Sequence, residues 1–181
     1  MRPDSLAASG KRLPRPWVRL MGRALLSALA GAILGAAAKW ADLYWPWAAE
    51  ISSQLMIWLV LGAAVSLHSG TPKRAALYVL ALCAGMLPAY YLTAHVLGAY
   101  YSAAYAWGWA GVALTAPVCA WICWYAGGRG PLAHLLRAGA LVVAAGATVF
   151  LFGALRPSDL VLLGALAWLL YSPGGGRHRR I

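Results

Sequence analysis

Residues 24–42 read ALLSALAGAILGAAAKWAD, and no charge interrupts the stretch from Ala24 to Ala38. The next residues, KWADLYWPWAAE (39–50), gather three tryptophans, a tyrosine, a proline and two acids before the chain turns apolar again. Apolar blocks of similar length recur, which places spans at about 20–38, 48–67, 75–97, 103–126, 131–155 and 158–172. Blocks of this length match a helix crossing the roughly 30 Å hydrocarbon core of a bilayer. The chain is 62% hydrophobic and 10% charged. A soluble domain carries about 25% charged residues, so a water-soluble globule is excluded. The absence of period-two alternation in an alanine- and leucine-rich chain excludes a β-barrel. The reading is an all-α, polytopic transmembrane bundle of six spans. Residues 1–19 form a basic, disordered N-terminal tail, 20–172 the membrane domain, and 173–181 a basic C-terminal tail.

A net charge of +11 suggests nucleic acid in a soluble protein. Here the basic residues stand at segment ends, where lipid headgroups and topology account for them. Arg2, Lys11, Arg12, Arg15, Arg19, Arg23, Lys73, Arg74, Arg129, Arg137, Arg177, Arg179 and Arg180 share one side of a six-span chain. Lys39 and Arg156 are left on the other. Positive charge accumulates on the cytoplasmic side, so both termini are expected there and residues 39–50 outside. Ala28-Leu29-Ala30 resembles a signal-peptidase site, but too few apolar residues separate it from Arg23. The first segment is therefore expected to remain as a span.

The outer face collects Trp40, Tyr44, Trp45, Trp47, Tyr90, Tyr91, Tyr100, Tyr101, Tyr105, Trp107 and Trp109, with Asp42, Glu50, Asp159 and His95. An interfacial aromatic belt is one account of them. Spacing supplies a second. Tyr101, Tyr105 and Trp109 form an i, i+4, i+8 stripe, and Tyr91 and His95 are i, i+4 apart beyond the midspan Pro88. A proline within a span frees a carbonyl that protein or a water-filled cavity must satisfy. Trp40, Asp42, Trp45, Trp47, Glu50, Tyr91, His95, Tyr101, Tyr105 and Trp109 are thus the candidate substrate-binding residues. Residues 39–50 act as a lid, and a small aromatic or cationic solute is the ligand that stacking, cation–π and carboxylate terms would favour.

Ala24, Ala28, Ala32 and Ala36 recur every four residues, and Gly31 and Gly35 form GxxxG on a neighbouring face. Small residues at this spacing let helices approach closely in lipid. Internal packing and a partner-helix face, whether for another membrane protein or a second copy, both fit. Cys83, Cys119 and Cys123 lie in apolar segments without metal-ligand spacing. No metal, cofactor or nucleic acid is expected, and neither HExxH, GxSxG nor a paired-aspartate pattern supports an enzyme.

SGTPKRAALYVLALCAGMLPAYYLTA (69–94), with APVCAWICWYAGGRG (116–130), resembles a family of uncharacterised six-helix bacterial membrane proteins over about residues 30–130. That resemblance implies a bacterial inner membrane and no particular activity. In topology the chain is also similar to the substrate-binding S components of energy-coupling-factor vitamin transporters. Ala24, Ala28 and Ala32 stand where those proteins meet their membrane partner, and residues 39–50 stand over their outward-facing site. This likeness implies a solute-binding, non-catalytic transport component that draws energy from a partner, since the sequence has no GxxxxGK[ST]. A scaffold that assembles with another membrane complex through its first helix is the alternative. An enzyme acting on lipid-linked substrates through His95, Asp42 or Glu50 is the weakest of the three readings.

Overall fold

The structure is a computed structural model and describes residues 16–172. It is all-α, with seven helices among the described residues: α1 (Pro16–Tyr44), α2 (Pro46–Ser52), α3 (Leu55–Leu67), α4 (Pro72–Val96), α5 (Ala103–Ala126), α6 (Pro131–Phe152) and α7 (Pro157–Tyr171). Four of these (α1, α4, α5 and α6) are long and apolar enough to cross a membrane, and the bent pair α2–α3 makes a fifth if it counts as one span. The chain is a multi-pass membrane protein. Helix α7 is apolar but has only 15 residues, about 22 Å of helix. The expected C-terminal tail, 173–181, lies outside the described residues, as do residues 1–15 of the expected N-terminal tail. Residues 16–19 belong to α1.

Prolines punctuate the helices. Pro46, Pro72, Pro131 and Pro157 each open one, where a missing N–H costs nothing and a fixed φ suits the first turn. Thr71 caps α4 by accepting the Arg74 N–H, and Asp159 Oδ2 accepts the Arg156 N–H at 2.9 Å to cap α7.

Two expectations change here. Residues 39–44 are not part of a connector: α1 runs on to Tyr44, because nothing in KWADLY breaks a helix before Pro46 restricts Trp45 to an extended conformation. The expected single span 48–67 is two helices meeting at 59° around Ser53–Gln54. In ISSQ, the hydroxyls of Ser52 and Ser53 turn back onto the carbonyls of Ala49 and Glu50, competing with helix continuation. Gln54 adopts an extended backbone, and its buried amide donates to Ser158 Oγ at 3.1 Å. The Trp58 indole donates to the Ser52 carbonyl at 3.0 Å. Such a break is tolerated in an apolar bundle where protein groups satisfy the freed backbone.

Helix α3 lies at the centre, touching α4, α5, α6 and α7. Its Met56, Ala63 and Leu67 form the core with Ala126, Ala144, Leu166 and Leu170. Helix α1 lies at the edge, against α4 and α2. It runs parallel to α4 in constant register. Ser27 Oγ donates to the Tyr78 carbonyl at 2.8 Å, a separation of 51 residues. The same offset places Gly31 against Leu82, Gly35 against Met86 and Lys39 against Tyr90. A Cβ on Gly31 or Gly35 would collide with the facing α4 carbonyl, and one on Gly85 would collide with the carbonyl of Ala28. Close backbone approach is what small residues permit in lipid. Ala28 thus meets α4 of its own chain, and Ala24, Ala32 and Ala36 are half-buried on and beside this face. Parallel packing of α1 on α4 requires α2–α3 to carry the chain back along the bundle.

Gly31→Ala and Gly85→Ala are expected to lower thermal stability in detergent by on the order of 1–3 kcal/mol through overpacking. Gly22→Ala, whose Cβ would meet nothing within 4 Å, is expected to be neutral or slightly stabilising from helix propensity. Equal melting temperatures for all three variants would contradict the packed α1–α4 face.

Candidate functional site

The residues that follow the glycines on α1 build a polar cluster. Ser27, Gly31, Gly35 and Lys39 are successive i+4 positions, so the face that packs on α4 leads straight to a lysine. Lys39 is buried at 7% exposure. Its ammonium lies 3.8 Å from Asp42 Oδ2 and 5.1 Å from the centre of the Tyr90 ring. The Tyr90 hydroxyl donates to Asp42 Oδ2, and Ser52 Oγ stands 3.4 Å from Asp42 Oδ1. Asp42 therefore ties together α1, the end of α2 and α4. A buried lysine without such a carboxylate would leave an uncompensated charge.

Beside the cluster is a cavity of about 680 Å³, within the usual range for small-molecule sites of about 300–1,000 Å³. Lys39, Ser52 and Ser53 line its head, with Trp58 from α3. Helix α4 contributes Met86, Tyr90 and Tyr91, and α5 contributes Tyr105, Gly108, Trp109 and Val112. Tyr100 and Tyr101 in the α4–α5 connection and Leu151 and Phe152 at the end of α6 complete the wall. Tyr91 and Tyr101 pack ring to ring at 5.3 Å. Tyr100 and Tyr105 are strongly exposed, so the cavity is open rather than sealed.

Of the residues singled out in the sequence, Tyr91, Tyr101, Tyr105 and Trp109 line this cavity together. The rest stand elsewhere. Trp40, Trp45 and Trp47 form a ladder with Tyr44 outside the cavity lining. Trp40 approaches Tyr44 at 5.2 Å and Trp45 at 5.0 Å, and Trp45 stacks on Trp47 at 6.1 Å. Glu50 pairs with Arg156 at 3.6 Å in an exposed contact that contributes little. His95 is exposed in the last turn of α4, and Pro88 is exposed too. Asp42 faces Lys39, Tyr90 and Ser52 rather than the open cavity.

Lys39, Tyr90, Ser52, Ser53 and Trp58 are the site residues that sequence reasoning missed. The i+4 continuation from Gly31 and Gly35 was the signal for Lys39, and the polar ISSQ within an apolar block was the signal for the break. At the other end of the bundle, Arg137 donates to the carbonyls of Ala126 and Gly128 at 2.8 Å each, closing the C-terminus of α5. Among the described residues, no three His, Cys, Asp or Glu side chains are grouped to hold a metal ion. Comparisons with protein-family models, curated proteins and solved structures return no match to this chain.

Removing one member of the Lys39–Asp42 pair leaves the other charge buried. Asp42→Ala is expected to destabilise by on the order of 3–5 kcal/mol, and Lys39→Met combined with Asp42→Asn by much less. Tyr90→Phe, which removes one donor to the carboxylate, should cost about 1–3 kcal/mol. Thermal unfolding in one detergent checks the order. A double variant no more stable than Asp42→Ala would show that the two groups are not paired.

Proposed function

We propose that this protein is the solute-binding, non-catalytic part of a transport system in a bacterial inner membrane, with the cavity beside Lys39 as its outward-facing site. The observation that carries the reading is the cavity itself: a preformed space of about 680 Å³ with tyrosine and tryptophan walls and one buried charged residue at its head. Its break at Ser53–Gln54 fits the same reading, since interrupted helices that line a cavity are a recurrent way to build a midmembrane or outward site. In this reading α1, α2–α3, α4, α5, α6 and the thin α7 make six passes. Arg19, Arg23, Lys73, Arg74, Arg129 and Arg137 gather at the end opposite the cavity, which supports cytoplasmic termini. Energy for transport would come from a partner protein.

A scaffold role is the second reading, favoured by the position of α1 at the bundle edge. Its Met21, Leu25, Leu29 and Ile33 are uncovered by the rest of the chain. Lipid covers such a face as readily as a partner helix does. The open aromatic cavity has no part in a scaffold.

Two measurements test the proposal. Cysteines introduced beside Tyr44 and Tyr101 should react with an impermeant reagent applied to intact cells, and those beside Lys73 and Arg129 should not; reversed labelling would overturn the orientation. Tryptophan fluorescence of the protein in nanodiscs should respond saturably to at least one member of a panel of vitamins and aromatic metabolites. Trp109→Phe should reduce that response, because Trp109 lines the cavity. A panel-wide absence of saturable change would favour the scaffold.

A further inference from the structure

The charged residue that lines the cavity is not one of the acids that its sequence context suggests. Both acids proposed to attract a cation are engaged elsewhere, Asp42 by Tyr90, Ser52 and Lys39, and Glu50 by Arg156. Neither lines the cavity, whereas Lys39 does, and among the described residues it is the only charged one in the lining. Among the described residues, the Lys39 ammonium makes no hydrogen bond. Its 3.8 Å approach to Asp42 is longer than an N–H···O contact. An ammonium has three donors, so its capacity is unspent. The Asp42 carboxylate, by contrast, is supported by two hydroxyl groups and needs Lys39 less for hydrogen bonding than for charge balance.

We infer that the site takes a flat aromatic carboxylate, with its anionic group on Lys39 Nζ and its ring between Tyr91, Tyr105 and Trp109. This rests on the reading of the cavity as a solute site and narrows it to a chemical class. A partly desolvated ammonium with free donors binds an anion more strongly than water-exposed lysine does, because the local dielectric is lower and the hydrogen bonds are charge-assisted. Aromatic walls add offset-stacked and edge-to-face contacts to a planar body. Lys39 lines the cavity and its balancing carboxylate does not, so the sign of the ligand's charge is set by the ammonium donors and its shape by the rings. Asp42 acts as a positioning residue: it holds the ammonium at the head of the cavity without reaching the ligand.

The experiment uses three matched probes, 1-naphthoate, 1-naphthamide and 1-naphthylmethylammonium, titrated against the full chain in neutral-lipid nanodiscs by tryptophan fluorescence and calorimetry. The expected result is that naphthoate binds at least ten-fold more tightly than the amide, and the ammonium probe more weakly than either. In Lys39→Met the ratio of naphthoate to naphthamide affinity should fall toward one, and in Lys39→Arg it should persist. If Lys39→Met alone does not purify as a folded protein, Lys39→Met with Asp42→Asn removes both charges and gives the same comparison. Saturable binding of all three probes without preference, or preference for the ammonium, overturns the anion assignment and leaves the solute site standing. If no probe binds and the wider solute panel is silent as well, the solute site falls and this inference falls with it.

Discussion

A lysine buried to 7% exposure inside a membrane bundle obliges the fold to keep a carboxylate beside it. Asp42 fills that role one helical turn away, and the rest of the architecture at this end of the bundle follows from holding Asp42 still. The Tyr90 hydroxyl brings in α4, and Ser52 brings in the end of α2. This works only because α1 and α4 lie close enough for Lys39 to face the Tyr90 ring, which the glycine contacts at Gly31, Gly35 and Gly85 secure. Small residues thus set the helix spacing, and the spacing sets the polar cluster. The head of the cavity is a consequence of both.

The bent pair α2–α3 is the second half of the same device. A straight helix through 48–67 would carry its backbone polar groups inside its own ladder. The break at Ser53–Gln54 turns Ser52 toward Asp42 and leaves Ser53 in the cavity lining. Its polar groups are satisfied by Gln54 on Ser158 and by Trp58 on the Ser52 carbonyl, so the interruption also fastens α3 to α7. Among the described residues, one buried oxygen close to this junction, Asp159 Oδ1, is left without a protein partner.

Much of the fold was legible in the sequence because hydropathy and proline starts act locally. The bounds 103–126 fall on α5, and Pro131 and Pro157 mark where α6 and α7 open. The break in α2–α3 was hidden because ISSQ has neither proline nor glycine, and serine back-bonding decides it only when Gln54 finds Ser158 more than a hundred residues away. For the site, the spacing of Tyr105 and Trp109 places two rings on one face of α5, whereas Tyr101 precedes the helix and reaches the same cavity wall, with Tyr91, through the path of the α4–α5 connection. Periodicity shows which residues share a face and not what that face meets. Hence Trp40, Trp45 and Trp47, equally aromatic, stand outside the lining, while Lys39 was read as a headgroup charge although it continues the glycine face. Charge balance between Lys39 and Asp42 is a tertiary fact, and no local pattern encodes which of the two faces open space.

The central claim is that an ammonium, not a carboxylate, governs the head of an accessible cavity. It is tested most directly by placing a single thiol there. Ser53→Cys, in a background with Cys83, Cys119 and Cys123 replaced by alanine, puts a reporter in the lining that Lys39 shares. Its reaction rates with a sulfonate-bearing and an ammonium-bearing methanethiosulfonate, each divided by the rate for a free thiol, report the local potential. The sulfonate reagent is expected to be favoured, and the preference to vanish when Lys39→Met is combined with Asp42→Asn. A thiol that does not react, or one that favours the ammonium reagent, would contradict it.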